Sequence, residues 1–191
     1  MKTIKHILYL ITFTIIIASC DKIEEPYLRE GASIPDTSST AVRKVLLEDY
    51  TGHRCINCPG AAITAHDLKD LFGDQLIILS VHAGFFAMPL GEYTEDFRTE
   101  AGEDWDSFFG ISLQGNPNGM INRREFGQSL ILGPEEWGSH VAEVIEEDAD
   151  ALLEIKHNYN EAEKTIDGKV NIEFLQALNG TYRLSIVLTE N

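Results

Sequence analysis

The chain has only three cysteines, and two of them lie in one short stretch, "YTGHRCINCPGAA", as Cys55 and Cys58. A pair spaced C-x-x-C admits three chemistries. As a metal clip it supplies two of the four ligands of a closed zinc site. His53, His66 and His82 are the nearest further ligands, and none shows paired ligand spacing, so no metal site is assigned. Covalent haem would need a histidine directly after the second cysteine, where Pro59 stands. As a redox pair, Cys55 would be the exposed nucleophile and Cys58 the resolving thiol, since exchange runs through a mixed disulfide that a neighbouring thiol must release. A helix N-terminus favours the thiolate through its free N–H groups and positive dipole end, and His53 and Arg54 add positive character. The third reading is a static disulfide. Closing even a 15-residue loop stabilises by only about 3 kcal/mol, so a loop this small is better explained by reactivity than by stability.

The flanking sequence must supply a corner that presents the pair. "VLLEDY" before it is a short apolar strand ended by Thr51 and Gly52, and "GAAITAHDLKDLF" after it places Ala61, Ala65, Leu68, Leu71 and Phe72 at helical spacing, with Gly73 as the stop. "LIILSVH", residues 76–82, is a nearly unbroken apolar run, which suits a strand covered on both faces. The order is strand, C-x-x-C, helix, strand. Residues 84–109 then read as a small helical insertion, with Thr94 as a cap for "EDFRTEA" and with Trp105, Phe108 and Phe109 on one side before Gly110. "GNPNGMIN" sets Pro117 in a turn ahead of a strand around residues 120–123. Pro134 fits the first position of a helix, Glu135 and Glu136 suit its positive end, and Trp137, Val141, Val144 and Ile145 form its apolar stripe.

Beyond Asp150 the period becomes two. Leu153, Ile155, His157 and Tyr159 alternate, as do Val170, Ile172 and Phe174, and again Tyr182, Leu184, Ile186 and Leu188. With "DG" at 167–168 and "NG" at 179–180 as hairpin turns, this predicts three antiparallel strands, a partial β domain with an open edge. The "NGT" at 179–181 is read as a turn and not as a glycosylation site.

The amino terminus sets the compartment. "MKTIKH" is basic, "ILYLITFTIIIA" is apolar and uncharged, and "IASC" ends at Cys20. A basic start, an apolar run of about 7–15 residues and a small-residue exit describe a secretory signal, since a spanning helix needs about 20. "IASC" resembles a bacterial lipobox, in which Cys20 is acylated and becomes the mature amino terminus; an uncleaved anchor is the alternative. Residues 21–42, rich in Gly, Ser, Thr, Asp and Pro, read as a tether. The formal net charge of −16 argues against a nucleic-acid partner and against binding anionic lipid by charge. About 150 residues beyond the tether are enough to bury a core without staples.

Taken together, "VLLEDY", "CINCP", the following helix, "LIILSVH" and "GNPNGMIN" resemble a thioredoxin-like domain. The resemblance implies that Pro117 is cis and lies against the cysteines, and that Asp49 is a buried carboxylate that helps move the proton of Cys58, with Glu48 a weaker candidate. Ile56-Asn57 replaces the Gly-Pro of thioredoxin, and Asn116 precedes the proline. With the lipobox and tether, "LLEDYTGHRCINCP" and the trailing β segment resemble the outer membrane protein 28 family of bacterial envelope lipoproteins. The expected organisation is a signal peptide over 1–19, a tether over 20–42, an α/β thioredoxin-like domain with a helical insertion over 43–149, and a partial antiparallel, immunoglobulin-like β domain over 150–191. The expected function is thiol–disulfide exchange by a lipoprotein held at the outer membrane through Cys20, with no cofactor and with envelope proteins bearing thiols or disulfides as partners. The alternative is a non-catalytic adhesion or binding protein that uses the fold as a scaffold.

Overall fold

The computed structural model describes residues 41–190. Cys20, the signal sequence and nearly all of the tether lie outside the described residues.

Strand β1 (Val45–Thr51) is the centre of a three-stranded mixed sheet. It pairs parallel with β2 (Leu76–His82) and antiparallel with β3 (Asn118–Ile121), giving the order β2-β1-β3. Gly119 and Leu132 exchange backbone hydrogen bonds on the outer side of β3. Helix α1 (Cys58–Phe72) connects the two parallel strands, and α3 (Pro134–Ile145) packs beside it. Val45 and Leu47 from β1 meet Ala61 and Ala65 from α1 and Trp137, Val141 and Val144 from α3 in one buried cluster. On the other face, Tyr50, Val81 and Met120 meet Ile111, with Trp105 and Phe109 of helix α2 (Glu100–Phe109) packed against them. This is a mixed α/β unit, compatible with a thioredoxin-like arrangement.

Several local expectations are corrected. The insertion forms its helix only from Glu100, because Thr99, not Thr94, is the cap: its side chain accepts the Gly102 N–H. Phe108 is 81% exposed, so only Trp105 and Phe109 serve the core. Leu71 of α1 also faces outward. β2 is an edge strand of this sheet, and its two faces pack into the two clusters, Leu76 and Ile78 into the first and Leu79 and Val81 into the second, with Ile77 left exposed near its start. β3 begins and ends two residues earlier than expected, since Asn122 and Arg123 both adopt φ 49°. That reversal lets the Asn122 side chain accept the Leu46 N–H at 2.7 Å while its own N–H donates to the Leu46 carbonyl.

The carboxyl-terminal segment departs further. β4 (Ala151–Asn160) and β5 (Thr165–Phe174) form a two-stranded hairpin. The chain turns at 161–164, where the Asn160 side chain accepts the N–H groups of Ala162 and Glu163 and Lys164 takes φ 54°. Asp167 and Gly168 lie inside β5 opposite Asn158 and His157, so "DG" is not the turn. The register explains the choice: it sets Leu153 opposite Ile172, Ile155 opposite Val170 and Tyr159 opposite Ile166, whereas reversal at 167–168 would set Ile166 against Lys169. Residues 177–190 form no strand, "NG" makes no hairpin, and among the described residues no second sheet covers β4 and β5. The immunoglobulin-like arrangement is therefore not present there.

Glu48 is fully buried and receives a bidentate ion pair from Arg123, Nε to Oε2 at 2.8 Å and Nη2 to Oε1 at 2.7 Å. The guanidinium also stacks on Trp105 and Phe109, at 4.9 and 5.1 Å from the ring centroids. Removing one partner of a buried pair strands the other charge. R123A should therefore lower the unfolding free energy in urea by about 3 kcal/mol, while E48L/R123M should recover most of that loss.

Candidate functional site

The site begins where β1 ends. Gly52 passes so close to the 85–87 turn that a Cβ there would lie 2.4 Å from the Phe86 carbonyl carbon. This approach lets the Arg54 N–H donate to the Phe86 carbonyl at 3.1 Å, and the Cys55 N–H closes a tight turn onto the Gly52 carbonyl at 2.9 Å. Arg54 is held in turn by the Phe85 carbonyl and by the Phe85 ring, 4.7 Å from its guanidinium carbon. Helix α1 then starts at Cys58 with Pro59 in its first turn, where a missing N–H costs nothing.

Cys55 and Cys58 form a disulfide, with Cα atoms 5.4 Å apart. The Cys58 N–H points at Cys55 Sγ, 3.1 Å away. Cys55, expected to be exposed, is only 6% accessible, against 3% for Cys58, and Ile56 between them is the residue that projects, at 90%. Among the described residues no cluster of three or more His, Cys, Asp or Glu side chains is arranged to hold a metal ion.

A cleft of about 290 Å³ opens under the disulfide, lined by Cys55, Cys58 and Pro59 on one side and by Asp49, Ser80 and His82 on another. Asp49 is 2% exposed and its Oδ1 has no hydrogen-bond partner among the described residues. Burial raises its pKa from the usual 3.8 to about 6. His82 is held below the ordinary histidine range, first by burial and then by the nearby His53. Sequence reasoning placed Asp49 and the cysteines together only through resemblance; it weighed His82 only as a metal ligand, and His53 as a metal ligand and as positive charge near the cysteines. Their signal was register: Thr51 lies opposite His82, and Asp49 opposite Ser80. Glu48 does not join the cleft, because successive strand residues face opposite ways and its carboxylate is taken by Arg123.

The Asn116–Pro117 bond is cis. Pro117 directly precedes Asn118, which is in register with Tyr50, so it stands across β1 from β2 and does not line the cleft. No described helix is long and apolar enough to cross a membrane.

No protein-family model matches the chain, and no curated protein matches it. Among solved structures, it is similar to a protein from Agrobacterium tumefaciens determined by X-ray crystallography as a structural-genomics target, at 14% sequence identity and a TM-score of 0.45. The likeness covers 63% of this chain and 54% of that protein, so the chain spans about half of its length. A likeness this slight carries neither a fold nor a function.

The raised pKa of Asp49 has a consequence for stability. The folded chain holds this proton more tightly than the unfolded chain, so stability falls as the carboxyl ionises, from about pH 4 up through about pH 6. A rise of about two units corresponds to roughly 3 kcal/mol lost above pH 6, as an upper figure. D49N should therefore be more stable than the parent at pH 7.5 by about 1–3 kcal/mol, and urea titrations should show a flatter dependence between pH 4 and 6.

Proposed function

We propose that this chain exchanges thiols and disulfides through Cys55 and Cys58, as a thioredoxin-like domain on a lipid-anchored protein of the bacterial outer membrane. The observation that carries the proposal is the disulfide at the head of α1 above a cleft whose floor is the buried Asp49 carboxyl. The sheet order β2-β1-β3, with α1 between the parallel strands and α3 beside it, supports the thioredoxin-like reading. In the reduced form Cys55 attacks, because its sulfur faces the Cys58 N–H at the positive end of the helix. Cys58 resolves and Asp49 accepts its proton; by the resemblance to thioredoxin-like domains, Pro117, outside the cleft and beside the end of β1, borders the groove where a substrate chain would pair. The anchor and location rest on "IASC" and the apolar run before it, and on the resemblance of "LLEDYTGHRCINCP" to the outer membrane protein 28 family. The partners are then envelope proteins that carry thiols or disulfides.

A second reading, a non-catalytic adhesion or binding module, is favoured by a different feature. One face of the β4–β5 hairpin carries Leu153, Ile155, Tyr159, Ile166, Ile172 and Phe174, all at least 43% exposed. An uncovered apolar face of this kind is an interaction surface in search of a cover.

Two measurements test the first reading. The alkylation rate of Cys55 in the reduced chain should titrate well below the ordinary thiol value of about 8.5, and reduced C58S should retain a glutathione adduct at Cys55 by mass spectrometry. A rate that follows an ordinary thiol, with no adduct, would exclude catalysis by this pair. Independently, fatty-acid labelling in a bacterial host should be lost in C20A, and labelling that persists would refute the anchor.

A further inference from the structure

The wall of the cleft away from the disulfide forms a polar column. Asp49 and Thr51 of β1, with Ser80 and His82 of β2, line one face of the sheet, since Asp49 is in register with Ser80 and Thr51 with His82. The column therefore runs from the buried Asp49 toward the strand ends, where His53 also lines the cleft. The rings of His53 and His82 both rest on Phe97, at centroid distances of 5.6 and 5.4 Å, and Phe97 is itself 55% exposed. The column thus leads from the protein interior to the surface.

Its polar atoms are not spent on the fold. Asp49 Oδ1, both ring nitrogens of His53 and His82 Nδ1 are buried without a hydrogen-bond partner among the described residues. A histidine kept only for packing ordinarily has its ring nitrogens satisfied. The cleft, at about 290 Å³, has room for several ordered waters at roughly 30 Å³ each, which can bridge these atoms.

Thiol–disulfide exchange has a proton to move along such a path. After Cys55 has displaced one sulfur of a substrate disulfide and bonded to the other, the Cys58 S–H bond breaks and its proton passes to the Asp49 carboxylate. The Cys58 thiolate attacks Cys55 Sγ, the bond from Cys55 to the substrate sulfur breaks, and its electron pair leaves with that sulfur. The dithiol is oxidised to a disulfide, and the substrate disulfide is reduced to two thiolates, which take their protons from solvent. Asp49 is left holding a proton in a place with little access to solvent.

We propose that His82, acting through Asp49, is the relay that carries this proton between the Asp49 carboxyl and solvent, with His53 as the outer station. The inference rests on the exchange reading above. Burial and the proximity of His53 hold the His82 ring below the ordinary histidine range, so a proton that reaches it is passed on rather than kept. The titratable groups around the relay are Asp49 from β1, the cysteines at the head of α1, and, beside His53, Tyr93 and the Asp96–Arg98 ion pair of the preceding loop. His82 touches none of the reacting sulfurs in this scheme and is a positioning residue for the proton alone.

The test separates the two steps of exchange. Reduced full-length chain in detergent is mixed with oxidised glutathione, and the mixed disulfide is followed by acid quench and mass spectrometry across the neutral pH range. H82Q should form the mixed disulfide within about twofold of the parent rate but resolve it about tenfold more slowly, with one inflection lost from the pH profile of resolution. D49N should slow the same step, and D49N/H82Q should be no slower than D49N, as expected for residues in one path. Should H82Q misfold, H82A carries the test, because added imidazole should restore its resolution rate. Resolution in H82Q at the parent rate with an unchanged profile would overturn the relay alone, as would a double variant slowed by the product of the single effects. A parent chain that never forms the mixed disulfide would overturn both the relay and the exchange reading.

Discussion

Two successive carboxylates on the central strand are buried on opposite faces, and only one of them is given a counter-ion. Glu48 faces α2 and is neutralised by Arg123, whose guanidinium is sandwiched against Trp105 and Phe109. Asp49 faces α1, has no such partner, and is instead held largely protonated below about pH 6 by its burial. Burying an unpaired carboxylate costs stability, and nothing in the packing of β1 offsets that cost locally. An apolar residue at position 49 would serve the cluster of Val45, Leu47 and Ala61 better. The arrangement makes sense if the ionisation of Asp49 is used, and the group above it whose chemistry needs a proton acceptor is the cysteine pair.

The rest of the corner is built to hold that pair in place. Gly52 allows the chain to cross against the Phe86 backbone, Arg54 is clamped on Phe85, and Cys58 opens α1 with its N–H directed at Cys55 Sγ. A reacting group set on the end of a strand and the start of a helix is positioned more firmly than one on a free loop. The insertion that follows β2 supplies Tyr93, set against His53, and Phe97, set against both His53 and His82. Against this, the β4–β5 hairpin contributes nothing to the cleft and leaves its apolar face open. A two-stranded hairpin is marginal alone, and among the described residues no further strand covers this one.

The elements around the cysteines were legible because local signals agreed. An apolar run, a break at Gly52, helical spacing from Ala61 to Phe72 and a second apolar run give the β1-α1-β2 unit, and Pro134 marks the start of α3. The misses came where a side chain overrode a dipeptide rule. Asn160 captures two backbone N–H groups and turns the hairpin early, so Asp167-Gly168 stays in the strand to keep apolar residues opposite one another. Thr99 outcompetes Thr94 as a cap because only there does the side chain meet the Gly102 N–H. The Glu48–Arg123 pair joins residues 75 apart in the chain, and no local pattern announces it. His82 is similar: its place opposite Thr51, on the sheet face that also carries Asp49, follows from strand register, which the sequence of β2 alone does not specify.

The central claim is that the Cys55–Cys58 disulfide is poised to exchange and is not a static staple. Its reduction potential, measured by equilibrating the full-length chain in glutathione redox buffers, tests that claim most directly. The account predicts a value in the range of known exchangers, between about −270 and −120 mV. A value below about −300 mV, where structural disulfides lie, would contradict it.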